Sequence, residues 1–447
     1  MRAIDAAATT RPGELEALIE LAGAAVARAA LRMLGGAYGR RVIVVAGSGN
    51  NGADGRVAAR RLTERGVHVT VIDAATAPAV LPVSDLVIDA AYGTGFRGEW
   101  ISPDPNGAPV LAIDIPSGVD ALTGAAGPGV LPADRTVTFA ALKPGLLLPP
   151  GSVLAGQLEL ADLGLDVSGA EAHLVQAEDV AGWLPRRTAD AHKWRSAAWI
   201  IAGNSGMLGA AHLAAEAAQR TGAGMVRLSS PGIATDIAAP AEVVGKPLPS
   251  HGWAAEVLDN LDRFHGLLIG PGLGRADTTS LSIREVVRRA ELPVVVDADG
   301  LFALAWSGEG PRATLAERQS PTVLTPHDGE YALLAGERVG PDRIAAARRL
   351  AARTSAVVAL KGAATVIADP AGRVVVVTAG DDRLATAGTG DVLAGIITAL
   401  VAQGVPAFEA AAAGAWIHGQ AGRRAPRRGM VAGDLPALIP QVLDTLG

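Results

Sequence analysis

The chain of 447 residues contains no cysteine. This excludes disulfides, thiolate catalysis and thiolate-held zinc or iron–sulfur centres. Aromatic residues make up 3% of the chain and charged residues 19%, so the cores must be built from small aliphatic side chains. No uncharged apolar run approaches the roughly 20 residues that a membrane-spanning helix needs. The first stretch, MRAIDAAATTRPGELEALIEL, carries acids early and has no apolar signal core. Excess positive charge is missing too. A net charge of −6 and a pI of about 5.8 argue against nucleic acid or an anionic membrane as partner. A cytoplasmic protein is expected, with small-molecule ligands and assembly as a homo-oligomer.

Apolar residues are plentiful, at 49%. At roughly 100–200 residues per domain, the length predicts two or three domains, each with a full core. In the first third, short β-rich runs alternate with helical segments: RVIVVAG (41–47), VHVTVID (67–73), DLVIDAA (85–91), PVLAIDI (109–115) and RTVTFAA (135–141). Most are apolar on both faces, as in parallel strands covered by helices. The segment 156–185 leaves that rhythm, which places a domain boundary near residue 168. A second series then begins with AAWIIAG (197–203), GMVRLSS (224–230), HGLLIG (265–270), PVVVDAD (293–299), PTVLTP (321–326), AVVALKG (356–362), TVIAD (365–369) and RVVVVT (373–378). Long Ala-rich stretches separate several of these. No short period recurs, so two tandem α/β domains are expected rather than a solenoid.

Chemistry concentrates at the ends of these runs. VVAGSGNNGADGR (44–56) reads as strand, G-x-G-x-x-G, helix, and Asp73 follows Gly52 by 21 positions. That is the pattern of a dinucleotide-binding loop with its ribose-binding carboxylate. In the second series, LATAGTGDVLAGIITALVAQG (384–404) places GTGD where a glycine turn opens a helix. Backbone N–H groups there make an anion hole. A carboxylate beside bound phosphates repels them, so Asp391 suits a base that deprotonates a hydroxyl attacking phosphorus. Alternatively it is an N-cap, the commoner use of a single Asp before a helix. Glycine, acid, His or Lys also ends five other strands of this series, at 203–206, 270–274, 297–300, 325–330 and 361–365. Ligands of open α/β sheets sit outside the carboxyl ends of the strands, so six such ends in order predict a site.

Across about 172–447, HKWRSAAWIIAGNSGMLGAA, GPGLG, DADGL, TPHDGE, KGAAT and ATAGTGDVLAGII resemble in order and spacing the ribokinase-like superfamily. Within it, they resemble the NAD(P)H-hydrate dehydratases. Across about 1–166, GSGNNGADG, DAAYGTGF, DIPSGVD and TFAALKPGL resemble NAD(P)H-hydrate epimerases. The fusion in this order resembles the bifunctional nicotinamide-nucleotide repair enzymes. The resemblance implies two tandem three-layer α/β domains: a Rossmann-like epimerase domain over 1–168 and a ribokinase-like dehydratase domain over 172–447. It implies that the fingerprint loop holds a dinucleotide as a damaged substrate, a hydrate with two epimers at the hydroxyl-bearing ring carbon.

The same resemblance implies roles for individual residues. Asn50, Asn51, Gly52, Ala53 and Asp54 hold the hydrate, together with Gly93, Thr94, Gly95, Phe96, Arg97, Gly98 and Glu99. Asn51, Asp89 and Ser117 match potassium-binding positions, and Asp114 matches the acid–base residue at the altered ring. A monovalent cation would offset the like charges of Asp89 and Asp114, which end parallel strands on one sheet edge. Asp54 also reads as a helix cap, and Asp73 as a strand-end turn residue. In the second domain Lys361, Gly362, Ala363, Ala364 and Thr365 match nucleotide-contacting positions, as do Thr386, Ala387, Gly388, Thr389 and Gly390 within 381–390. Gly272, His327 and Asp391 lie around the hydrate, with Ala210 nearby. Asp297, Asp299 and Glu330 are expected to order Mg²⁺ through water, and ADP, or else ATP, is the expected phosphoryl donor.

Four positions depart from the usual pattern: Ala53 and Ala387 stand where glycine is common, Asp328 where proline is, and Trp194 where a glycine-rich continuation is. The rival readings are a vitamin-precursor kinase of the ribokinase-like fold with a non-catalytic first domain, and a dehydrogenase using the 47–52 fingerprint.

Overall fold

The computed structural model of the protein describes residues 13–186, 192–234, 239–306 and 310–447. Residues 1–12, where the N-terminal stretch read for a signal core begins, lie outside them. The chain divides into two compact units, Met1–Ala170 and Glu171–Gly447. Among the described residues no helix is long and apolar enough to cross a membrane.

The first unit is built on six parallel strands: β1 (Arg41–Ala46), β2 (His68–Asp73), β3 (Leu86–Ala90), β4 (Val110–Ile113), β5 (Arg135–Phe139) and β6 (Gln157–Ala161). They lie in the order β2-β1-β3-β4-β5-β6. The chain leaves β1 toward β2 and returns to pair β3 on the other side, so the strand order reverses between β1 and β3. A crevice opens at such a switch point. Helices Glu14–Leu34 and Asn50–Thr63 cover one face through small residues such as Ala25, Ala29 and Ala58. A Cβ on Gly23 would lie 2.4 Å from Val57 Cγ1, so glycine sets the helix–helix distance. The opposite face is packed by connecting segments that contribute Ala74, Leu81 and Ala108.

The segment 156–185, read as leaving the β rhythm, in fact contributes β6 to this sheet and β7 (Ala172–Leu174) to the next. In the edge strand β6 both Leu158 and Leu160 are exposed, and Glu159 between them pairs with Arg32 and Arg135. The strand therefore lacks the two-sided apolarity of its neighbours.

The second unit carries a ten-stranded sheet. Its other strands are β8 (Ala197–Ile201), β9 (Met225–Ser229), β10 (Val244–Gly245), β11 (Gly266–Ile269), β12 (Val294–Val296), β13 (Thr322–Leu324), β14 (Val357–Leu360), β15 (Thr365–Ala368) and β16 (Val374–Val377). The order is β10-β9-β8-β11-β12-β13-β14-β15-β16-β7. All neighbours are parallel except β15, which runs antiparallel to both β14 and β16. The two-residue β10 was not legible in the sequence. The helix Thr389–Ala402 is buried continuously from Val392 to Ala402, and it packs closely on its neighbours. A Cβ on Gly395 would stand 2.2 Å from the Ala214 carbonyl oxygen, and one on Gly414 would stand 2.6 Å from Ile397 Cγ1. The Ala-rich sequence is what lets these helices approach.

Candidate active sites in the two units

In the first unit, the loop after β1 folds back on itself because its glycines have no side chain. A Cβ on Gly47 would lie 2.0 Å from the Ala91 carbonyl oxygen, and one on Gly52 would lie 1.9 Å from that of Gly47. Ala53 sits inside the helix Asn50–Thr63 and needs no positive φ, so alanine is acceptable there. A cavity of about 660 Å³ opens above the switch point. Of the residues expected to hold the hydrate, Asn50, Asn51, Asp54, Gly93, Thr94, Gly95, Phe96 and Asp114 line it. Gly52 and Ala53 lie in the first turn of the helix Asn50–Thr63, outside the lining, and Arg97, Gly98 and Glu99 are exposed outside it too. The cavity also has an apolar wall that the sequence reading missed, made by Leu15, Leu18 and Ile19 with Leu163 and Leu165. Asp73 lies elsewhere: its carboxylate accepts the Ala75 N–H at 2.8 Å and caps a turn.

Asp89 ends β3 and is clasped by Ser117. The Ser117 N–H donates to Oδ2 at 2.8 Å, and its hydroxyl donates to Oδ1 at 2.6 Å. Burial pushes the pKa of Asp89 up despite these bonds. Asn51 is buried too, and its Nδ2 has no partner.

Asp114, just after β4, adopts a left-handed φ of 66°, an uncommon conformation outside glycine. Behind it stands Lys143, 2% exposed. Its ammonium lies 2.5 Å from Asp114 Oδ1 and donates to Thr138 Oγ1 and the Phe139 carbonyl, both at 2.9 Å. Lys143 lies within the quoted TFAALKPGL run, but its partner was not legible. Only the side-by-side ends of β4 and β5 bring Asp114, Thr138 and Lys143 together. Asp54 faces the same cavity and is 7% exposed. Burial first, and then the charge of Asp114, push its carboxyl up to about 8.

In the second unit the residues gather at the carboxyl ends of β11 to β14. Asp297, after β12, accepts from Thr325 Oγ1 at 2.7 Å and from Lys361 Nζ at 2.9 Å. The next residue, Ala298, has a φ of 50°, backbone strain that directs the chain into the helix Asp299–Ala305. Lys361 also lies 3.7 Å from Glu330. Burial opposes its charge, but Asp297 and Glu330 outweigh that and raise its pKa. Gly362 and Ala363 lie exposed in the turn between β14 and β15, Ala364 is buried, and Thr365 opens β15.

His327 is the N-cap of the helix Asp328–Ala335: its Nδ1 accepts the N–H of Gly329 at 3.0 Å, and Glu330 accepts the His327 N–H at 2.9 Å. Asp328 replaces proline to a purpose. It binds Arg343 through both oxygens, at 2.8 and 3.0 Å, and Arg343 in turn donates to the Lys361 carbonyl. Gly272 has a φ of 61°, and a Cβ there would stand 3.3 Å from that of Ala210. These two residues thus meet where the order reverses between β8 and β11. Asp299 accepts from the Gly274 N–H and from Arg275, each at 2.9 Å.

The helix Thr389–Ala402 opens on Gly388, with a φ of 92°. Ala387 has no positive φ, so the left-handed residue is Gly388 and alanine is tolerated beside it. Thr386 and Thr389 spend their hydroxyls on the turn: Thr386 donates to the Arg383 carbonyl, and Thr389 to those of Leu384 and Thr386. A Cβ on Gly390 would be 3.5 Å from Lys361 Nζ, so the helix start abuts the Lys361–Asp297 pair. Gly388, not Asp391, occupies the N-cap, which removes the capping alternative for Asp391. Burial raises the pKa of Asp391 to about 7; Asp297 adds to this, and Lys361 partly offsets it. Among the described residues no three His or carboxylate groups converge as direct metal ligands.

The second unit matches a family model described as NAD(P)H-hydrate dehydratase over residues 198–444. The first matches the YjeF-related N-terminal family over 15–81 and 73–145. A bifunctional NAD(P)H-hydrate repair enzyme of Moorella thermoacetica is 38% identical over 91% of this chain and 88% of its own. One from Escherichia coli is 35% identical over 91% and 85%. This chain belongs to the bifunctional NAD(P)H-hydrate repair enzyme family. Among solved structures, an ADP/ATP-dependent NAD(P)H-hydrate dehydratase of Bacillus subtilis, co-crystallised with ATP and Mg²⁺, is 28% identical with a TM-score of 0.55. It covers 62% of this chain and 100% of its own. A ribokinase-like protein of Enterococcus faecalis, 21% identical with a TM-score of 0.56 over 63% and 99%, shows the same fold. Matches to both halves in one relative set aside the kinase with an inert first domain, and likewise the dehydrogenase.

Proposed function

We propose that the first unit interconverts the R and S hydrates of NADH and NADPH, and that the second removes water from the S hydrate at the expense of a nucleotide. The observation that carries this reading is Asp391, which among the described residues stands without an ion pair in the first turn of a glycine-opened helix, against the Lys361–Asp297 pair. A base is effective when its pKa lies near the operating pH, and about 7 meets that condition.

In the second unit Asp391 takes the proton from the ring hydroxyl as that oxygen attacks the terminal phosphorus of the nucleotide. The N–H groups at the helix start and Lys361 face the charge that develops on the transferring group. Phosphate is a far better leaving group than hydroxide, so the ring nitrogen's lone pair expels it. Loss of a proton from the neighbouring carbon then restores the double bond. ADP is the proposed donor, with ATP the alternative. Asp297, Asp299 and Glu330 share one sheet edge without forming a direct ligand set, which fits a cation that keeps its waters. Magnesium bound there with the nucleotide would supply positive charge to the phosphoryl oxygens.

In the first unit the apolar wall and the helix start at 50–54 hold the hydrate, with Asp114 at the altered ring as acid–base residue. Asn51, Asp89 and Ser117 offer only oxygen acceptors and one reorientable amide. Asp89 is buried with no cation paired to it among the described residues. That set fits potassium, whose charge would offset the buried carboxylate.

The test supplies a mixed-epimer hydrate with ADP or ATP and follows recovery of reduced-nicotinamide absorbance. Complete recovery with one phosphate released per nicotinamide supports the proposal. Accumulation of a stable phosphorylated compound would overturn it.

A further inference from the structure

Two carboxylates, Asp54 and Asp114, face the cavity of the first unit, but among the described residues only one cation is built against them. Lys143 is buried and holds Asp114 from behind at 2.5 Å, with Thr138 as a further donor at 3.3 Å. Asp54 is as deeply buried as the apolar residues of its helix, yet no ion pair or hydrogen bond reaches its carboxyl among the described residues. Placing two negative charges on this pair against one ammonium is unfavourable, so the pair retains one proton. Burial and the charge of Asp114 place that proton on Asp54.

We infer that Asp54 is a second catalytic residue of the epimerase site, the proton donor that works opposite the base Asp114. The inference rests on the epimerase reading of this unit. Pushing two neighbouring carboxyls apart in acidity is the general way in which one site obtains both an acid and a base. The value of about 8 for Asp54 agrees with the placement.

The chemistry balances. The hydroxyl-bearing carbon is bonded to the ring nitrogen. Asp54 gives its proton to the hydroxyl, the C–O bond breaks with its electron pair going to oxygen, and the nitrogen lone pair forms the C=N bond. Water leaves, and the carbon becomes planar. A water molecule attacks the other face, its oxygen pair forming the new C–O bond as the C=N pair returns to nitrogen. Asp114 takes the proton from that water. One water leaves and one enters, and return of a proton from Asp114 to Asp54 through the solvent completes the cycle. Lys143 touches no reacting atom and acts as a positioning residue for Asp114.

The full chain without nucleotide, given a single-epimer NADH hydrate in potassium buffer, tests this. In water enriched in oxygen-18, each inversion should place one solvent oxygen in the hydrate. Asp54→Asn should lower kcat for inversion roughly 100-fold with KM little changed, and should abolish the fall in rate expected of the unaltered protein above a pH of about 8. Asp54→Glu keeps the acid and should recover part of kcat. Inversion without oxygen exchange overturns the inference. So does an Asp54→Asn protein that keeps its kcat, or loss of hydrate binding in both variants with a normal melting temperature. If the unaltered protein inverts nothing, the epimerase reading itself has failed.

Discussion

The two units solve one electrostatic problem twice. Each has a glycine-rich turn that opens a helix, and each sets a lysine against an aspartate at a strand end: the buried Lys143 on Asp114 and the half-buried Lys361 on Asp297. Among the described residues each then leaves a second aspartate without an ion pair in the opening turns of the helix, Asp54 in one unit and Asp391 in the other, with its acidity weakened by burial. The difference lies in what faces the ligand. In the first unit the paired Asp114 lines the cavity, and among the described residues no cation moderates Asp54, whose carboxyl is pushed up to about 8. In the second the paired Asp297 is 1% exposed, and Lys361 also moderates Asp391, which titrates near 7. One arrangement keeps an acid ready beside a base, and the other keeps a single base.

The largest expected effect is on stability. Lys143→Met strands the Asp114 carboxylate beside the hole left by a 2%-exposed ammonium. Removing one partner of a buried pair costs about 3–5 kcal/mol, readable as a lowered denaturant midpoint. Adding Asp114→Asn should recover much of that loss, because no uncompensated charge then remains. Lys361→Met should cost less, since its side chain is 19% exposed and water can reach the vacancy. Equal losses would break the comparison.

Next comes Asp391→Asn, which should bind nucleotide and hydrate but lose roughly 100-fold in dehydration, about 3 kcal/mol of transition-state stabilisation. Epimerisation by the same protein should be unaffected. Loss of both activities would point to a shared site. Its counterpart, Asp114→Asn, should lower epimerisation by a similar factor while dehydration of the S hydrate continues.

These residues were unequally legible in the sequence. Strands apolar on both faces declared themselves, and so did strand ends rich in glycine and acid, because a parallel sheet buries the one and exposes the other. What stayed hidden depends on register between strands. Lys143 means little until β4 and β5 lie side by side. Asp54 reads as a helix cap until the helix start is seen over the cavity. The Asp328–Arg343 bridge joins the starts of two different helices, and no periodicity within either one encodes it. The apolar wall from the helix Glu14–Leu34 was likewise invisible, because a helix residue facing a cavity looks like one facing a core.

A smaller effect should appear with pH. Asp391 must be ionised to act, so kcat/KM for dehydration should fall as the pH drops through about 7, approaching tenfold per unit below it. The raised value means that burial and the neighbouring acids disfavour the anion; removing Lys361, the one moderating cation, should move the limb to higher pH. A limb near the ordinary carboxylate range would remove Asp391 from the role of base.

The smallest expected effect is none at all. If the resemblance between the units reflects two complete sites, neither should need the other. The first unit holds its own six-stranded sheet, its own core from Val26 to Phe139, and all of Asn51, Asp54, Asp89, Asp114, Ser117 and Lys143. A chain ended after Ala170 should therefore interconvert the epimers without nucleotide, at a rate within roughly twofold of the full protein, since surface changes away from a core usually shift stability by about 0.5 kcal/mol or less. The remainder, from Glu171 on, should dehydrate the S hydrate alone and leave the R hydrate untouched, so that recovery from a mixed sample stops part-way. Mixing the two pieces should restore complete recovery. A first unit that inverts the hydrate only when covalently joined to the second would show that a needed group comes from beyond Ala170, and the reading of two self-contained sites would fall.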